Sequence, residues 1–318
     1  MNEQWLSVIA LLLPIGAAIA EWLLGLPRLW HPLYYFQIVA NALSNRVNRA
    51  ENGPKQQQLA GSMAMWLLLA VILLTYWGLS VLADMPLLLD GISLFLLLTW
   101  RPLMHDLKQV SEKLQKGQLP LARLQLAHWV LRDTHQLSQA QITAAASESL
   151  IIRLAHGWFA TLFWYALFGI YGALTYRIIE LLHQTWNRKL ADYQQFGKSS
   201  DQIHHLLAYV PDLLLAWLMC LIGSPGKNWH QYQLGFRWPR TPSGRLIGIT
   251  ASWLNAQLGG QRYYQGLIRS FALFGAKNQV TLTSDFKHLC IRCYLVAGYY
   301  LVLVIYPILL CRYIIIGL

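Results

Sequence analysis

The run GSMAMWLLLAVILLTYWGLSVLA occupies residues 61–83 and contains no charged side chain. An α-helix needs about 20 mainly apolar residues to cross the hydrocarbon core of a bilayer, so this run is long enough to span it. Stretches 5–26, 206–223 and 291–316 are apolar over a similar length, and 86–100 is shorter but almost uncharged. The sequence therefore predicts an all-α, polytopic membrane protein with about five transmembrane helices.

The composition fits a membrane protein better than a soluble one. Hydrophobic residues make up 56% of the 318 residues and charged residues only 12%, whereas soluble domains carry roughly 25% charged residues. The net charge is +11, and the basic residues are spread over the loops instead of forming one dense stripe. That distribution is typical of cytoplasmic loops and disfavours nucleic-acid binding. We therefore expect membrane lipid as a partner and no nucleic acid.

The basic loops also predict which side of the membrane each segment faces. The linker 27–60 has an excess of basic residues, and region 225–290 has eight Lys or Arg against one acid, Asp285. Since positive loops stay in the cytoplasm, we predict a multi-pass membrane protein in which both of these segments face the cytoplasm. The chain is one predicted membrane domain, residues 1–318. It carries a cytoplasmic helical segment at 101–156 and a cytoplasmic loop region at 225–290.

The segment that follows the predicted spans 61–83 and 86–100 is amphipathic. Its apolar residues Leu103, Leu107, Val110 and Leu114 recur at intervals of three and four. This spacing places them on one face of an α-helix. We therefore predict that a helix in segment 101–156 buries this face.

Residues 157–176 form an apolar segment that Gly157, Gly169 and Gly172 interrupt. One interpretation is a single crossing of the membrane, and the other is a re-entrant hairpin or a buried element. Irregular backbone at membrane depth is tolerated only where protein covers it. Both interpretations stay open, and we count this segment apart from the predicted spans.

A set of motifs occurs in a fixed order over most of the chain. The N-terminal motif is Leu24-Gly25-Leu26-Pro27-Arg28, followed by His31-Pro32-Leu33. The central motifs are Arg132-Asp133-Thr134, Glu148-Ser149-Leu150 and Leu162-Phe163-Trp164, and the later ones are Tyr193, Phe196-Gly197, Leu258-Gly259-Gly260, Tyr264 and Asp285-Phe286. This ordered set resembles the CobD/CbiB family, the membrane cobinamide-phosphate synthases of cobalamin biosynthesis. The order of the whole set is more specific than any single motif.

The resemblance implies a multi-pass protein of the bacterial inner membrane whose functional face is cytoplasmic. It also implies an ATP-dependent amide ligation. In this reaction adenosylcobyric acid is joined to aminopropanol phosphate to give adenosylcobinamide phosphate. Activation of a carboxylate by ATP requires Mg²⁺ and cationic groups that neutralise charge on the phosphoryl oxygens. The resemblance therefore implies ATP and Mg²⁺ as cofactors and a corrinoid or nucleotide as ligand, while a homo-oligomer stays open.

The resemblance also implies which residues form the site. Arg132, Asp133 and Glu148 are the expected catalytic residues: Arg132 would clamp a phosphate or propionate, and Asp133 or Glu148 would hold Mg²⁺. The structural alternative is an ion pair that organises amphipathic helices. The residues expected at the substrate are Arg101, His105, Ser149, Tyr193, Gly259, Gly260 and Tyr264.

The chain departs from the family pattern at several acidic positions. Four of these positions carry histidine, namely His156, His183, His204 and His205. Imidazole suits transition metals far better than Mg²⁺, which prefers oxygen ligands. One hypothesis is that the four histidines form a transition-metal or tetrapyrrole-metal site. The other is that they reflect relaxed constraint in a non-catalytic relative.

Because these acidic residues are missing, a second function for the whole protein is also an open alternative. In that alternative the chain is a catalytically degenerate CobD/CbiB-like membrane protein that binds a ligand or signals in the cell envelope. The AmpE-type membrane proteins, which the chain resembles more distantly, are the model for this alternative. A transporter is disfavoured because few ionisable groups lie mid-membrane and no inverted repeat is visible.

Overall fold

The computed structural model describes residues 3–49, 51–276 and 284–316. Within these ranges the side chains of 3–8, 284–285 and 315–316 are not described. Asp285 of the predicted Asp285-Phe286 motif therefore lies outside the described side chains. The helices are α1 (Glu3–Leu24), α2 (Pro32–Val47), α3 (Pro54–Leu82), α4 (Pro86–Leu97), α5 (Trp100–Gln115), α6 (Leu119–Ala127), α7 (Gln139–Leu154), α8 (Ala160–Thr185), α9 (Lys198–Leu221), α10 (Pro225–Leu234), α11 (Thr241–Leu254), α12 (Ser284–Tyr300) and α13 (Tyr306–Ile316). The strands are β1 (Leu258–Tyr264) and β2 (Leu267–Phe274).

The prediction of an all-α, polytopic membrane protein is confirmed. Within the described residues, five helical stretches are long and apolar enough to cross a membrane: Pro54–Leu82, Pro86–Gln115, Gln139–Thr185, Lys198–Leu221 and Phe286–Ile314. Among the described side chains of helix α1, Ile9–Leu24 form a shorter apolar helix. The stretch through α7 and α8, which contains the glycine-interrupted segment, is one of the five.

Helix α3 shows how these spans meet their surroundings. Pro54 opens the helix at a position where its missing N–H costs nothing. Large apolar side chains such as Trp66, Leu74 and Trp77 are exposed along it. A soluble monomer rarely exposes a contiguous apolar surface of this kind, whereas lipid covers it in a membrane.

The apolar segment 157–176 has a kink at one of its three glycines, Gly169. Helix α8 has non-helical backbone at Phe168 and Gly169, where Gly169 has φ 65° and ψ −157°. Such a conformation is open to glycine and strained for other residues. Gly157 instead leaves room for its neighbours, because a Cβ there would lie only 2.7 Å from Thr99 Oγ1 and 3.0 Å from Arg177 Nη1.

The chain divides into two compact units. The first lies within Met1–Pro102, His156–Ala208 and Leu301–Leu318, and the second within Leu103–Ala155 and Tyr209–Tyr300. In the first unit, α2, α3 and α8 enclose a core that includes the fully buried Met65 and Trp186.

The second unit contains the amphipathic helix that the sequence predicts. Leu103, Leu107, Val110 and Leu114 all lie on α5 and are at most 4% exposed, which confirms the prediction. Helix α11 packs against α7, α10 and α12 in the same unit. The predicted loop region 225–290 therefore contains helices α10 and α11, and its residues 277–283 lie outside the described part of the chain.

Strands β1 and β2 form an antiparallel hairpin that the sequence analysis did not predict. Tyr264 pairs with Leu267, so the loop consists of Gln265 and Gly266, both with positive φ (48° and 75°). Two such residues are typical of a type I′ turn. The register shifts between Gly259 and Gln261. Two adjacent glycines and the absence of β-branched residues make β1 a weak strand signal, which explains why the hairpin was missed.

His31 fixes the start of α2 in the first unit. Its Nδ1 accepts a hydrogen bond from the Leu33 N–H at 3.4 Å, and its Nε2 lies 3.3 Å from the Leu98 carbonyl oxygen. These partners select the neutral tautomer that carries the proton on Nε2. Burial, assisted by the positive charge of Arg177, lowers the pKa of His31 to about 4.

We expect the first unit to lose stability as the pH falls from about 6.5 towards 4. The unfolded chain binds a proton at His31 in this window whereas the folded chain does not, so the loss should reach roughly 2–3 kcal/mol. The measurement is thermal unfolding in detergent as a function of pH. The His31→Asn variant keeps an N-cap acceptor and should show a shallower pH dependence. Equal slopes for both proteins would contradict this account.

Candidate functional site

In the second unit the candidate residues Arg132 and Asp133 lie on the loop between α6 and α7. Glu148 lies on α7, whose N-terminus is capped. Ser138 caps α7: its Oγ accepts from the Gln141 N–H, and the Gln141 side chain accepts from the Ser138 N–H. Arg123 binds the loop before the cap, because its Nε and Nη2 donate to the Leu137 carbonyl oxygen at 3.0 and 2.7 Å. This capping box satisfies the first N–H groups of α7 and fixes where the helix begins. Glu148 then faces inward and is only 4% exposed.

Glu148 is the centre of a buried ion cluster. Its Oε2 forms a salt bridge with Arg132, and its Oε1 accepts a hydrogen bond from the Gly259 N–H at 2.8 Å. The Nη2 of Arg262 lies 2.9 Å from Oε1 as an ion-pair contact outside hydrogen-bond alignment. Both carboxylate oxygens of Glu148 therefore have partners outside α7. The pairing of one buried acid with two arginines holds the loop, the helix and the hairpin together.

Arg262 is held on its other sides by aromatic rings. Its guanidinium carbon lies 5.0 Å from the centre of the Trp238 ring and 4.9 Å from that of Phe271. These distances are in the range of cation–π attraction. The side chain is buried and therefore has few rotamers open to it. Arg262 is presented to the site in a nearly fixed position.

Asp133 ties the loop to the tip of the hairpin. Its backbone N–H donates to the Tyr263 carbonyl oxygen at 2.9 Å, and its Oδ2 accepts from the Gly266 N–H at 3.0 Å. Unlike Glu148, Asp133 is exposed. Its second carboxylate oxygen makes no hydrogen bond within the described part of the chain.

These residues surround a cleft of about 1000 Å³. Its lining comprises Arg132, Asp133, His135, Gln136, Leu137, Ser138, Ala140, Gln141, Ala144, Gln257, Gly259, Gly260, Gln261, Arg262, Tyr263, Gly266 and Leu273. Ligand sites in proteins usually occupy roughly 300–1,000 Å³, so the cleft can take a large polar ligand. The glutamine amides in the lining offer both donors and acceptors to such a ligand.

The charges around the cleft balance. Arg132 and Arg262 are positive, and Glu148 and Asp133 are negative when ionised, so the four groups sum to zero. Burial lowers the pKa of Arg132, while the adjacent Glu148 carboxylate acts in the opposite direction. An arginine nevertheless stays charged at physiological pH. Because Glu148 lies behind the arginines and outside the lining, the charges that face the cleft are two positive and one negative.

The structure brings together five of the residues expected from the sequence. Arg132, Asp133, Gly259 and Gly260 line the cleft, and Glu148 supports it. Two further predicted residues lie beside them. Ser149 Oγ donates to the Trp129 carbonyl oxygen at 3.1 Å. Tyr264 is buried on β1, close enough to Arg132 to interact with its charge.

Three predicted substrate residues lie elsewhere, and none of them is among the residues that line the cleft. Arg101 contacts α1 in the first unit: its backbone N–H donates to Glu21 Oε1 at 2.8 Å. Tyr193 contacts Ser44 in the same unit, with 3.2 Å between the two hydroxyl oxygens. His105 is exposed on α5 in the second unit. A substrate role for these three stays a prediction.

The four histidines converge in the first unit, but as ring contacts. His183 and His204 stack with 4.5 Å between ring centres, and His156 lies 4.7 Å from His204. His205 lies 6.3 Å from His204, and Asp201 Oδ1 is 3.2 Å from His183 Nδ1. A metal ion is bound by the lone pair at the ring edge, whereas stacked rings meet face to face. In the described part of the chain, no three His, Cys, Asp or Glu side chains form a group that could hold a metal ion.

Arg262 is the site residue that the sequence analysis did not select. In the structure Arg262 and Tyr264 are buried and Gln261 and Tyr263 are exposed along β1, although residue types do not alternate in its sequence. Such alternation is typical of a strand with one buried face. Recognition of the strand would have placed Arg262 on the inner face.

Comparison with known proteins agrees with the motifs. Residues 14–291 match the family model described as CobD/Cbib protein. The cobalamin biosynthesis protein CobD of Chromobacterium violaceum is 32% identical over 261 residues, which cover 81% of this chain and 83% of the relative. CobD of Stutzerimonas stutzeri is 31% identical over 253 residues, covering 79% and 83%. The cobalamin biosynthesis protein CbiB of Salmonella typhimurium is 28% identical over 266 residues, covering 79% and 82%. No solved structure matches the chain.

Proposed function

The chain belongs to the CobD/CbiB family, and we propose from this that it acts in cobalamin biosynthesis as an acid–amine ligase. The proposed reaction joins adenosylcobyric acid to aminopropanol phosphate at the expense of ATP and gives adenosylcobinamide phosphate. The observation that supports it is the single cleft where Arg132, Asp133 and Gly259 meet above the buried Glu148. We propose further that this cleft faces the cytoplasm from the bacterial inner membrane, because ATP is available there.

The chemistry requires a better leaving group on the carboxylate. Transfer of the terminal phosphoryl group of ATP to a carboxylate oxygen gives an acyl phosphate and ADP. The amine then attacks the acyl carbon, the new C–N bond forms, and inorganic phosphate leaves while the nitrogen loses a proton. Negative charge accumulates on phosphoryl oxygens throughout, so fixed cations in the site accelerate the reaction.

The residues of the cleft fit these requirements in part. Arg132 and Arg262 line it and can neutralise phosphoryl oxygens. Asp133 would hold Mg²⁺ together with the substrate phosphates and water, which is the usual protein environment of this ion. We propose that Glu148 positions the two arginines instead of binding the metal, because both of its oxygens are already engaged.

One observation favours the second candidate, a catalytically degenerate relative that binds a ligand. Among the described residues that line the cleft, Asp133 is the single carboxylate. A protein that binds the corrinoid or the nucleotide without ligation needs no further acid. The two candidates share the cleft and differ in whether an amide bond forms there.

Complementation separates the two candidates. A bacterial strain that lacks cobinamide-phosphate synthase is transformed with the chain, and cobalamin-dependent growth is scored. Growth with the wild-type chain but not with Asp133→Ala supports the ligase, provided that both proteins reach the membrane in equal amounts. Glu112→Gln is the matched control, because Glu112 is an exposed acid outside the cleft. No growth despite normal membrane expression supports the degenerate relative.

A further inference from the structure

Helix α10 follows directly after a helix that can span the membrane. Helix α9 is long and apolar enough to cross a bilayer and ends at Leu221, and α10 begins at Pro225. Trp217 and Leu221, near the end of α9, are 60% and 62% exposed. An exposed tryptophan at the end of a span is typical of the headgroup level of a bilayer. Since only residues 222–224 separate the two helices, we expect α10 to start at the membrane surface.

An aromatic stripe runs along α10 and the single turn after it, Gly235–Arg237. The stripe consists of Trp229, Tyr232 and Phe236, which recur at intervals of three and four and therefore share one side of the helix. Trp229 stacks on Tyr232 with 5.1 Å between ring centres. Trp229 and Phe236 are 46% and 64% exposed. Exposed aromatic rings on a short helix beside a membrane span are typical of segments that lie in the membrane interface.

The same segment carries only positive charge. Lys227 and Arg237 are exposed, and no Asp or Glu occurs in residues 213–284. No acid within this part of the sequence cancels the attraction that the exposed basic residues exert on an anion. Basic residues that follow a membrane span directly are a common recognition element for anionic phospholipids.

A buried arginine lies beneath the aromatic stripe. The guanidinium carbon of Arg245, on α11, is 4.3 Å from the ring centres of both Tyr232 and Phe236, and its Nη1 donates to the Tyr232 hydroxyl at 2.9 Å. Arg245 is 7% exposed, and its Nε has no hydrogen-bond partner within the described part of the chain. Among the residues that the structure describes, no carboxylate forms an ion pair with it. Since a buried arginine normally has an acidic partner, the charge of Arg245 favours an anion at the neighbouring surface.

Close packing fixes the arginine relative to the stripe. A Cβ at Gly235 would lie 2.6 Å from Cγ of Arg245, and a Cβ at Gly244 would lie 2.5 Å from the Gly235 carbonyl oxygen. Only glycine allows the turn and α11 to approach this closely without displacement. The surface is therefore preorganised, and a ligand that binds it has little further side-chain ordering to impose.

We propose that this surface binds the headgroup of an anionic phospholipid. The phosphate lies next to Arg245, and the aromatic stripe lies between the headgroups and the acyl chains. Lys227 and Arg237 add to the attraction through their charge. A lipid fits better than a soluble phosphate, because the exposed rings and the adjoining span both offer contacts to its apolar part. This site lies outside the cleft and does not depend on the proposed reaction.

The experiment measures lipid selectivity by native mass spectrometry. Purified full-length protein is released from micelles that contain equal amounts of dioleoylphosphatidylglycerol and dioleoylphosphatidylcholine, which share their acyl chains and differ in charge. For the first lipid that stays bound, we expect about tenfold more phosphatidylglycerol than phosphatidylcholine. Lys227→Gln combined with Arg237→Gln should lower this ratio roughly fivefold or more, because each basic residue near an anionic headgroup contributes about that factor.

The matched control is Lys108→Gln combined with Lys116→Gln. This variant also removes two exposed positive charges from the second unit, but at residues outside α10 and its following turn. We expect it to bind the two lipids in the wild-type ratio.

Arg245→Met separates lipid binding from support of the fold. Methionine keeps apolar contact with the rings and removes a buried charge that has no acidic partner, so the midpoint of thermal unfolding in phosphatidylcholine micelles should not fall. The ratio of bound phosphatidylglycerol to phosphatidylcholine should nevertheless fall about fivefold. A lower midpoint with an unchanged ratio would overturn the placement of the phosphate at Arg245.

Three other results would overturn the proposal. One is a ratio near one for the wild type, or an equal decrease for both double variants. Another is displacement of phosphatidylglycerol by glycerol 3-phosphate, because the site would then recognise a soluble phosphate. The third is a wild-type dimer without lipid preference that Lys227→Gln with Arg237→Gln converts to a monomer, which would assign the surface to a second copy of the chain. Failure of complementation leaves the lipid site in place, since lipid binding is measured without the reaction.

Discussion

Glu148→Ala is expected to destabilise the second unit by about 3–5 kcal/mol. The substitution leaves Arg132 and Arg262 buried without their shared counter-ion, and the Gly259 N–H loses its acceptor. Removal of one partner from a buried ion cluster is costly because the remaining charges have already lost their hydration. The measurement is denaturant or thermal unfolding of the purified protein in detergent. A change below about 1 kcal/mol would show that the cluster contributes little, as for exposed ion pairs.

Two further variants distinguish charge from hydrogen bonding. Glu148→Gln keeps an oxygen acceptor for Gly259 but removes the charge, so we expect a smaller loss than with alanine. Combined replacement of Arg132 and Arg262 by methionine and of Glu148 by leucine removes every charge at once. Apolar side chains of similar volume often replace a buried ion cluster without loss of stability. This triple variant should therefore be more stable than Glu148→Ala and yet bind no phosphate.

The membrane class could be predicted from the sequence because it depends on local composition. The run 61–83 is long and uncharged, and it lies in α3 as expected. The amphipathic spacing of Leu103 and Leu107 likewise predicted a buried face of α5. The glycine-interrupted segment, which we counted apart from the predicted spans, belongs to the long helical stretch Gln139–Thr185.

The hairpin and its arginine could not be predicted in the same way. Glu148 and Gly259 are 111 positions apart in the sequence, and only the fold brings them into contact. Strand β1 has two glycines, so neither propensity nor alternation marks it clearly. Arg262 consequently looked like one of many basic residues in a loop. The resemblance did select Arg132, Asp133 and Glu148, which the fold brings together at the cleft, because it depends on an ordered set of motifs and not on local pattern.

The histidines illustrate the opposite case, in which proximity was predicted but geometry was not. His156, His183 and His204 stand where the family pattern has acidic residues. In the first unit the rings of His156 and His183 both contact the ring of His204. Sequence position does not define ring orientation, since side-chain torsions depend on the packing of α8 against its neighbours. Stacked imidazoles and an edge-on metal site are therefore equally compatible with the sequence; in the structure His183 stacks on His204, and His156 meets His204 at 78° between the ring planes.

Gly259→Ala is expected to cost about 2–6 kcal/mol and to abolish function. Gly259 has φ 99°, a conformation that strains any residue with a Cβ by about 1–3 kcal/mol. A Cβ would also overlap the Ala272 carbonyl oxygen, and overpacking against backbone adds a similar amount. Relief of the clash would move the Gly259 N–H away from Glu148. Unfolding in detergent and complementation measure the two effects.

Gly266→Ala is the matched control for this prediction. Gly266 also has positive φ (75°) and also lines the cleft, but nothing lies within 4 Å of its Cβ position. Its substitution by alanine should therefore cost only the conformational strain, about 1–2 kcal/mol. Equal losses at the two glycines would mean that backbone strain alone limits the hairpin. A larger loss at Gly259 would mean that the close approach of β1 to β2, which holds the Gly259 N–H against Glu148, is what maintains the arginine pair in the cleft.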